Sequence, residues 1–403
     1  MIKPELILPA GDPDKASYAT SYGADAVYAG LPGLSLRSKY ISFDETSLGK
    51  AIDDAHSIGK RFYVACNLFA HETDLHSVNR FFDVLKDQGP DALIVSDPGV
   101  MRAARQRKLD IPFHLSTQAN VTNSQAVQFW RDQGVARIIL ARELSLTELE
   151  LLCDTSQGIE LEIFIHGAMC VSYSGRCLLS NFLTGRDANR GECAGTCRWR
   201  YALVEESREN DRLEIEEDER GAYILNSRDL CLIKKIPELA RLPIHGYKVE
   251  GRTKNLLYVS LIARAYRRVI DDVFDNGNVS IDPEALRLIE YTDSHGFTEG
   301  FLFPGSEPMQ SYKSGVTRSQ QLLGFIRDSS NREIAVTVKN PLSVEDKVVA
   351  VSPDELIPIR IVKLRMNGEY VSRAYGAKGH EVVATIDTVL PGTHWKYGML
   401  VKG

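Results

Sequence analysis

"GYKVEGRTKNLLYVSLIARAYRRVIDDV", residues 246–273, decides the fold. Its first seven residues read as a strand and the remainder carries helical apolar spacing, so one strand runs straight into a long helix. Seven earlier stretches have the same strand character: "ELILPAG" (5–11), "DAVYAG" (25–30), "RFYVACN" (61–67), "ALIVSD" (92–97), "FHLSTQ" (113–118), "RIILARE" (137–143) and "LEIFIHG" (161–167). Amphipathic segments such as "DETSLGKAIDDAHSIG" and "NSQAVQFWRDQG" separate them, several ending in glycine as helices commonly do. Strand then helix, repeated, means a parallel sheet. No G-x-G-x-x-G turn follows the first strand, which argues against an open doubly wound sheet. With residues 246–252 as the eighth strand, the sequence predicts an α/β chain whose residues 1–301 form a (β/α)8 barrel of the TIM type.

The eighth strand comes late, which leaves an insertion over residues 168–245. Loops at the carboxyl ends of barrel strands build active sites, so this insertion is where chemistry is expected. After "DSHGFTEGFLFPG" (293–305) the pattern changes to apolar/polar alternation with turn signals. Residues 302–330 read as a linker and 331–403 as a small C-terminal all-β barrel domain.

A chain of 403 residues, 43% hydrophobic and 25% charged, has the composition of a globular protein rather than a disordered or disulfide-scaffold one. No apolar run approaches the roughly 18 residues of a membrane span, and the N-terminus lacks the features of a cleavable signal. The expectation is a cytoplasmic protein with no membrane partner, in whose reducing surroundings clustered cysteines read as metal ligands before disulfides. A net charge of −6 excludes nucleic-acid binding by the whole surface while permitting a local basic patch.

Four of the seven cysteines, Cys170, Cys177, Cys193 and Cys197, follow a C-x6-C-x15-C-x3-C spacing. Four thiolates satisfy either an iron–sulfur cluster or tetrahedral zinc. Only the second pair is tight and the first cysteine sits beside the barrel rim, so a [4Fe–4S] cluster is favoured; zinc, or four unrelated buried thiols, stays open. Cys66 and Cys153 lie in strand and helix patterns and read as core residues. Cys231 reads as a core or spare thiol that could swing toward the cluster. Cys170 with His166 four residues before it would make a Cys–His nucleophile pair, although no orienting acid accompanies them.

Polar residues close nearly every strand: Asn67, Asp97, Gln118, Arg142 with Glu143, His166, and Glu250 with Arg252. In a barrel these converge on one rim. The alternative for each is a helix cap or a partner for loop backbone.

"EIFIHGAMCVSYSGRCLLS" (162–180) resembles the signature of the collagenase-like peptidase family of unassigned catalytic type, family U32. "ELILPAG", "GADAVYAG", "DALIVSDPG", "STQANVTN", "ILARELSL" and "YKVEGRTK" match its further blocks in order, and the β-rich tail is included in the likeness. The resemblance implies an oxygen-independent hydroxylation protein with a [4Fe–4S] cluster on the four clustered cysteines. It is strongest toward the branch that acts on transfer RNA, through "LSLRSKY" and "NRGECAGTCRWRY". That branch implies tRNA as partner, conversion of wobble uridine to 5-hydroxyuridine, and prephenate as the hydroxyl source. Sister branches act on a ribosomal RNA cytidine or the ubiquinone ring, the latter drawing its fourth ligand from a later cysteine, and the family's historical activity is peptidase.

A dicarboxylate co-substrate calls for cations, for which Arg142, Arg252 and Arg37 are candidates; His166 or Glu143 would move protons. Asn67, Gln118 and Glu250 are candidate substrate contacts. "CRWRY" (197–201) joins Arg198 and Trp199 in a mix suited to an unpaired base and its phosphate, while a bland reading has Trp199 plugging the core. "KVEGRTK" (248–254) and "YKSGVTR" (312–318) add cations. The sequence departs from the tRNA branch around 200–220, where it has only the acidic "EESRENDRLEIEEDER".

Overall fold

The computed structural model describes residues 2–32, 34–35, 42–170, 172–199, 217–218, 221–222, 228–303, 321–376, 380–391 and 395–402. Arg37, Tyr201, most of the acidic stretch, "YKSGVTR" and the side chain of Arg198 lie outside the described set.

The eight expected strands are all present: β1 (Glu5–Pro9), β2 (Ala26–Gly30), β3 (Arg61–Cys66), β4 (Ala92–Val95), β5 (Phe113–Leu115), β6 (Val135–Ile139), β7 (Glu160–Ala168) and β8 (Gly246–Val249). Each runs parallel to the next, and β8 pairs with both β1 and β7, which closes the barrel. Helices α1 (Pro13–Ser21), α2 (Glu45–Ser57), α3 (Leu75–Gln88), α4 (Pro98–Gln106), α5 (Ser124–Asp132) and α6 (Leu146–Thr155) cross back between successive strands. Their starts are set locally: Asp12, Asp44, Asn123 and Ser145 accept backbone N–H bonds at their N-termini. Asp97 does the same for α4, receiving Gly99 and Val100 N–H, so this strand-end carboxylate is a cap.

The barrel interior is charged where strand patterning alone suggests an apolar filling. Arg137 on β6 reaches across to Glu5 on β1 at 2.6 Å and to Glu162 on β7 at 3.5 Å. Glu162 also accepts from Lys248 on β8 at 2.7 Å, and Tyr63 on β3 donates to Glu5 at 2.8 Å. All but Glu5 are buried. Such ions persist away from water only because each has an opposite charge or hydrogen bond within reach.

The insertion contains a short helix, α7 (Leu179–Thr184), a strand Asp229–Cys231 antiparallel to the end of β7, and a one-turn helix, α8 (Ile236–Leu239). After β8, the long helix α9 (Leu256–Asn276) packs beside α1, and α10 (Pro283–Glu290) packs on α9.

The tail is a closed six-stranded antiparallel barrel: β9 (Leu322–Ser330), β10 (Glu333–Val338), β11 (Lys347–Val351), β12 (Leu356–Met366), β13 (Glu381–Ile386) and β14 (Met399–Lys402). Its first strand starts at Leu322, so the domain begins nine residues before the expected 331; the Gln, Leu and Gly residues there pattern weakly, and pairing with β10 and β14 decides. Phe325, Val351 and Met399 join the core of the large barrel. Arg264 of α9 fastens the junction, donating to the carbonyls of Ser352 at 2.7 Å and Glu355 at 2.6 Å.

Candidate functional site

A cavity opens at the carboxyl ends of the barrel strands, and Cys170, Cys177, Cys193 and Cys197 all line it. Thiols separated by up to 27 positions in the chain meet there because the insertion folds back over the barrel mouth. Side chains pin that fold to backbone. Asn189 accepts the Cys177 N–H at 3.1 Å and donates to the Cys177 carbonyl at 3.0 Å. Arg186 donates to the Cys193 carbonyl at 3.2 Å, and Ser180 Oγ receives the Ala194 N–H at 3.0 Å. Two N–H groups point at sulfur: Ser172 toward Cys170 at 3.5 Å and Gly195 toward Cys193 at 3.4 Å. None of the four cysteines is in a disulfide. Among the described residues no three His, Cys, Asp or Glu side chains converge on one point fit for a single metal ion.

Of the strand-end residues, Asn67, Gln118, Arg142, Glu250 and Arg252 line the same cavity. Gln118 Oε1 is held by Asn67 Nδ2 at 2.8 Å and by the hydroxyls of Ser96 and Ser116, both at 3.1 Å. Its amide nitrogen is buried with no hydrogen-bond partner among the described residues. Three donors on the oxygen fix which way the amide faces, and the NH2 is left for a ligand. Arg142 lies over the Phe164 ring and donates to the Ala168 carbonyl at 3.0 Å; Arg252 is buried and lies over Tyr28. Tyr28 OH reaches Glu250 at 3.1 Å.

Lys248, read from sequence only as one of the cations of "KVEGRTK", and Tyr28, not singled out at all, also line the cavity. The signal was present: Lys248 stands two residues before Glu250, on the same face of its strand. Burial lowers the Lys248 ammonium below its ordinary pKa, with Glu162 opposing that shift. Ser174, another lining residue, holds a left-handed backbone at φ 46°.

Two expectations fail. Glu143 does not line the cavity; its carboxylate accepts the Ser174 N–H at 2.6 Å and sits 3.0 Å from the Ser174 hydroxyl, so it anchors the cysteine loop instead of moving protons. His166 is likewise absent from the cavity wall. Phe164 pairs with Lys248 and faces inward, but the register shifts, and His166 pairs with Val249. One extra residue in the strand reverses the side-chain alternation, which turns the imidazole outward against α9. There His166 Nδ1 lies 3.2 Å from Tyr266 OH, which itself donates to the Ile165 carbonyl at 2.9 Å, so Nδ1 carries the proton. Burial pushes its pKa down to about 3, and the imidazole is neutral. Cys170 and His166 are therefore not a nucleophile pair. Of the two readings of Trp199, its 45% exposure rules out the core plug.

Cys231 sits beside Tyr266 OH at 4.0 Å behind the bulged strand, does not line the cavity, and burial raises its thiol to about 11. Cys66 and Cys153 are buried, as expected.

The cysteine insertion carries exposed apolar side chains. Phe182 is 86% exposed, and Tyr173, Leu178, Leu183 and Trp199 are also open to water. Among the described residues no helix is long and apolar enough to cross a membrane.

The chain is 38% identical to the tRNA hydroxylation protein P of Escherichia coli, over 88% of this chain and 87% of that protein. It is 36% identical to tRNA hydroxylation protein P of Haemophilus influenzae, over 95% and 93%. It is 33% identical to the 23S rRNA 5-hydroxycytidine C2501 synthase of E. coli, over 75% of this chain but only 43% of that protein. The profile of Peptidase family U32 matches residues 11–311, which take in the barrel from α1 onward with the cysteine insertion and every residue lining the cavity, and the chain belongs to that family.

Proposed function

We propose that this protein hydroxylates transfer RNA, converting the wobble uridine to 5-hydroxyuridine with prephenate as hydroxyl source and a [4Fe–4S] cluster on Cys170, Cys177, Cys193 and Cys197. The observation that carries the reading is the shared cavity: four cysteines outside any disulfide, two arginines, a lysine and the Gln118 amide nitrogen line one opening at the carboxyl ends of the barrel strands. Its near full-length identity to tRNA hydroxylation proteins supplies the substrate class.

The donor set suits a cluster. Each iron of a cubane takes one thiolate, so the four sulfurs need to surround a volume instead of converging on a point. When bound, the cluster supplies Lewis-acid or one-electron chemistry at the cavity wall. Uridine C5–H becomes C5–OH in a two-electron oxidation, so the co-substrate that gives up the hydroxyl leaves reduced by two electrons.

The protein's own side chains bind and orient. Arg142 and Arg252, with their guanidinium planes fixed against Phe164 and Tyr28, receive the co-substrate's carboxylates. Lys248 adds a cation deeper in the barrel, held in place by Glu162. Gln118 offers its amide N–H bonds to a carbonyl acceptor. Tyr173, next to the lining Ser174, and Trp199, two residues past the lining Cys197, are exposed and offer faces on which bases adjoining the extruded one stack.

Mass spectrometry of tRNA nucleosides from cells with and without the gene tests the reading. 5-Hydroxyuridine disappears from the deletion strain and returns with the intact gene. Unchanged 5-hydroxyuridine refutes it, and loss of a hydroxylated ribosomal cytidine or of quinone in its place reassigns the substrate.

A further inference from the structure

The small barrel presents a surface that the cavity does not use. On β12, Lys363 and Arg365 are exposed and flank the buried Leu364. The short strand Glu369–Val371 folds back on it and sets Tyr370 opposite Arg365. Tyr370 is 72% exposed, with Lys363 Nζ 5.7 Å from its ring centre. Farther along the same segment Tyr375 is 56% exposed, with the Arg373 guanidinium 5.2 Å from its ring centre. Residues 356–376 contain Arg360, Lys363, Arg365 and Arg373 against one carboxylate, Glu369, in a chain whose net charge is −6. Arg360 and Arg365 have carboxylates within 4.0 Å, whereas Lys363 and Arg373 enter no ion pair among the described residues.

We propose that this tyrosine and cation hairpin of the C-terminal barrel is a second RNA-binding surface, separate from the cavity, which takes unpaired nucleotides of the tRNA substrate. The inference rests on the tRNA reading above. An unpaired nucleotide offers a flat base and an anionic phosphate, and each of the two tyrosines has a cation beside its ring to receive that pair. A protein partner fits less well, because the two exposed tyrosines of this segment stand among cations, with no other large apolar residue exposed there among the described residues, whereas the centre of a protein interface is depleted of charge. The cysteine insertion differs, having Leu178, Phe182 and Leu183 in the open.

The test measures equilibrium binding of unfractionated tRNA by the full-length protein across a range of salt concentrations. Tyr370→Ala with Tyr375→Ala weakens binding about tenfold or more, as loss of base stacking does, while Tyr370→Phe with Tyr375→Phe binds like the parent. Lys363→Ala with Arg373→Ala flattens the slope of log K against log salt by about 1.5, roughly two released phosphate contacts. Thermal unfolding is unchanged in all, since these side chains are exposed. Equal affinity and equal slope in every variant, with the parent binding tRNA, overturns the proposal and leaves the cavity reading standing. A parent that neither binds tRNA nor supports its hydroxylation overturns both. Variants that bind tRNA normally but lose hydroxylation in cells assign the hairpin to a protein partner, and the RNA surface is refuted.

Discussion

His166 offers a quantitative test of the site assignment, because a catalytic imidazole and a buried structural one titrate differently. In the folded chain its pKa is driven to about 3 by burial, with Lys254 nearby adding to the effect, against 6.5 when exposed. A base whose folded pKa is depressed leaves stability intact above the unfolded pKa. Below pH 6.5 the unfolded chain binds a proton that the folded chain refuses, so stability is lost progressively as pH falls toward 3. From pH 7.5 to 5.0 that one site removes about 2 kcal/mol. His166→Asn keeps a donor near the Nδ1 position for Tyr266 and cannot titrate. The variant loses some packing at every pH, but the gap between parent and variant closes by about 2 kcal/mol between pH 7.5 and 5.0. His114, also buried and pushed well below its ordinary pKa, contributes equally to both chains and cancels. Urea unfolding at the two pH values measures the gap, and NMR of the His166 ring follows protonation directly. A constant gap, or a His166 resonance that titrates near 6.5, would refute the burial argument and restore the imidazole as an acid–base candidate.

Other outcomes follow from the same geometry. Serine at Cys170, Cys177, Cys193 or Cys197 sharply lowers the iron and sulfide bound after anaerobic reconstitution, while Cys231→Ser leaves both unchanged; equal loss at Cys231 would put it in the ligand set. Glu162→Gln leaves Lys248 and Arg137 short of a buried counter-charge and destabilises the fold by about 3–5 kcal/mol in denaturant unfolding, whereas a change under about 1 kcal/mol would mean the interior is better hydrated than its burial indicates. Gly167→Ala is strongly destabilising and distorts the Glu250 loop, because Gly167 has φ +110° and a Cβ there overlaps the Glu250 carbonyl; normal stability and normal hydroxylation would contradict that contact. Arg142→Ala and Arg252→Ala raise the prephenate concentration needed for half-maximal hydroxylation, and an unchanged requirement removes that arginine from the clamp.

Much of this molecule was legible in one dimension. The eight strands, the late eighth strand, the insertion and the β-rich tail follow from local apolar periodicity and turn residues, which are properties of neighbouring positions. The four cysteines stood out because spacing in the chain already limits which thiols can share a ligand. What periodicity could not carry is any event that changes which way a side chain points. The bulge before His166 depends on how β7 meets β8 and the strand Asp229–Cys231, partners more than 60 residues away, and it turns the expected proton carrier out of the cavity. Glu143 and Asp97 looked equivalent to the lining residues until loop contacts claimed their carboxylates. The charged barrel interior was hidden likewise, since Glu5, Arg137, Glu162 and Lys248 come from four strands and neutralise one another only once the sheet closes. Sequence set the elements and the thiol cluster, because these rest on short-range pattern. Tertiary closure alone decided which polar groups face the cavity, because burial and charge pairing are properties of positions brought together in space.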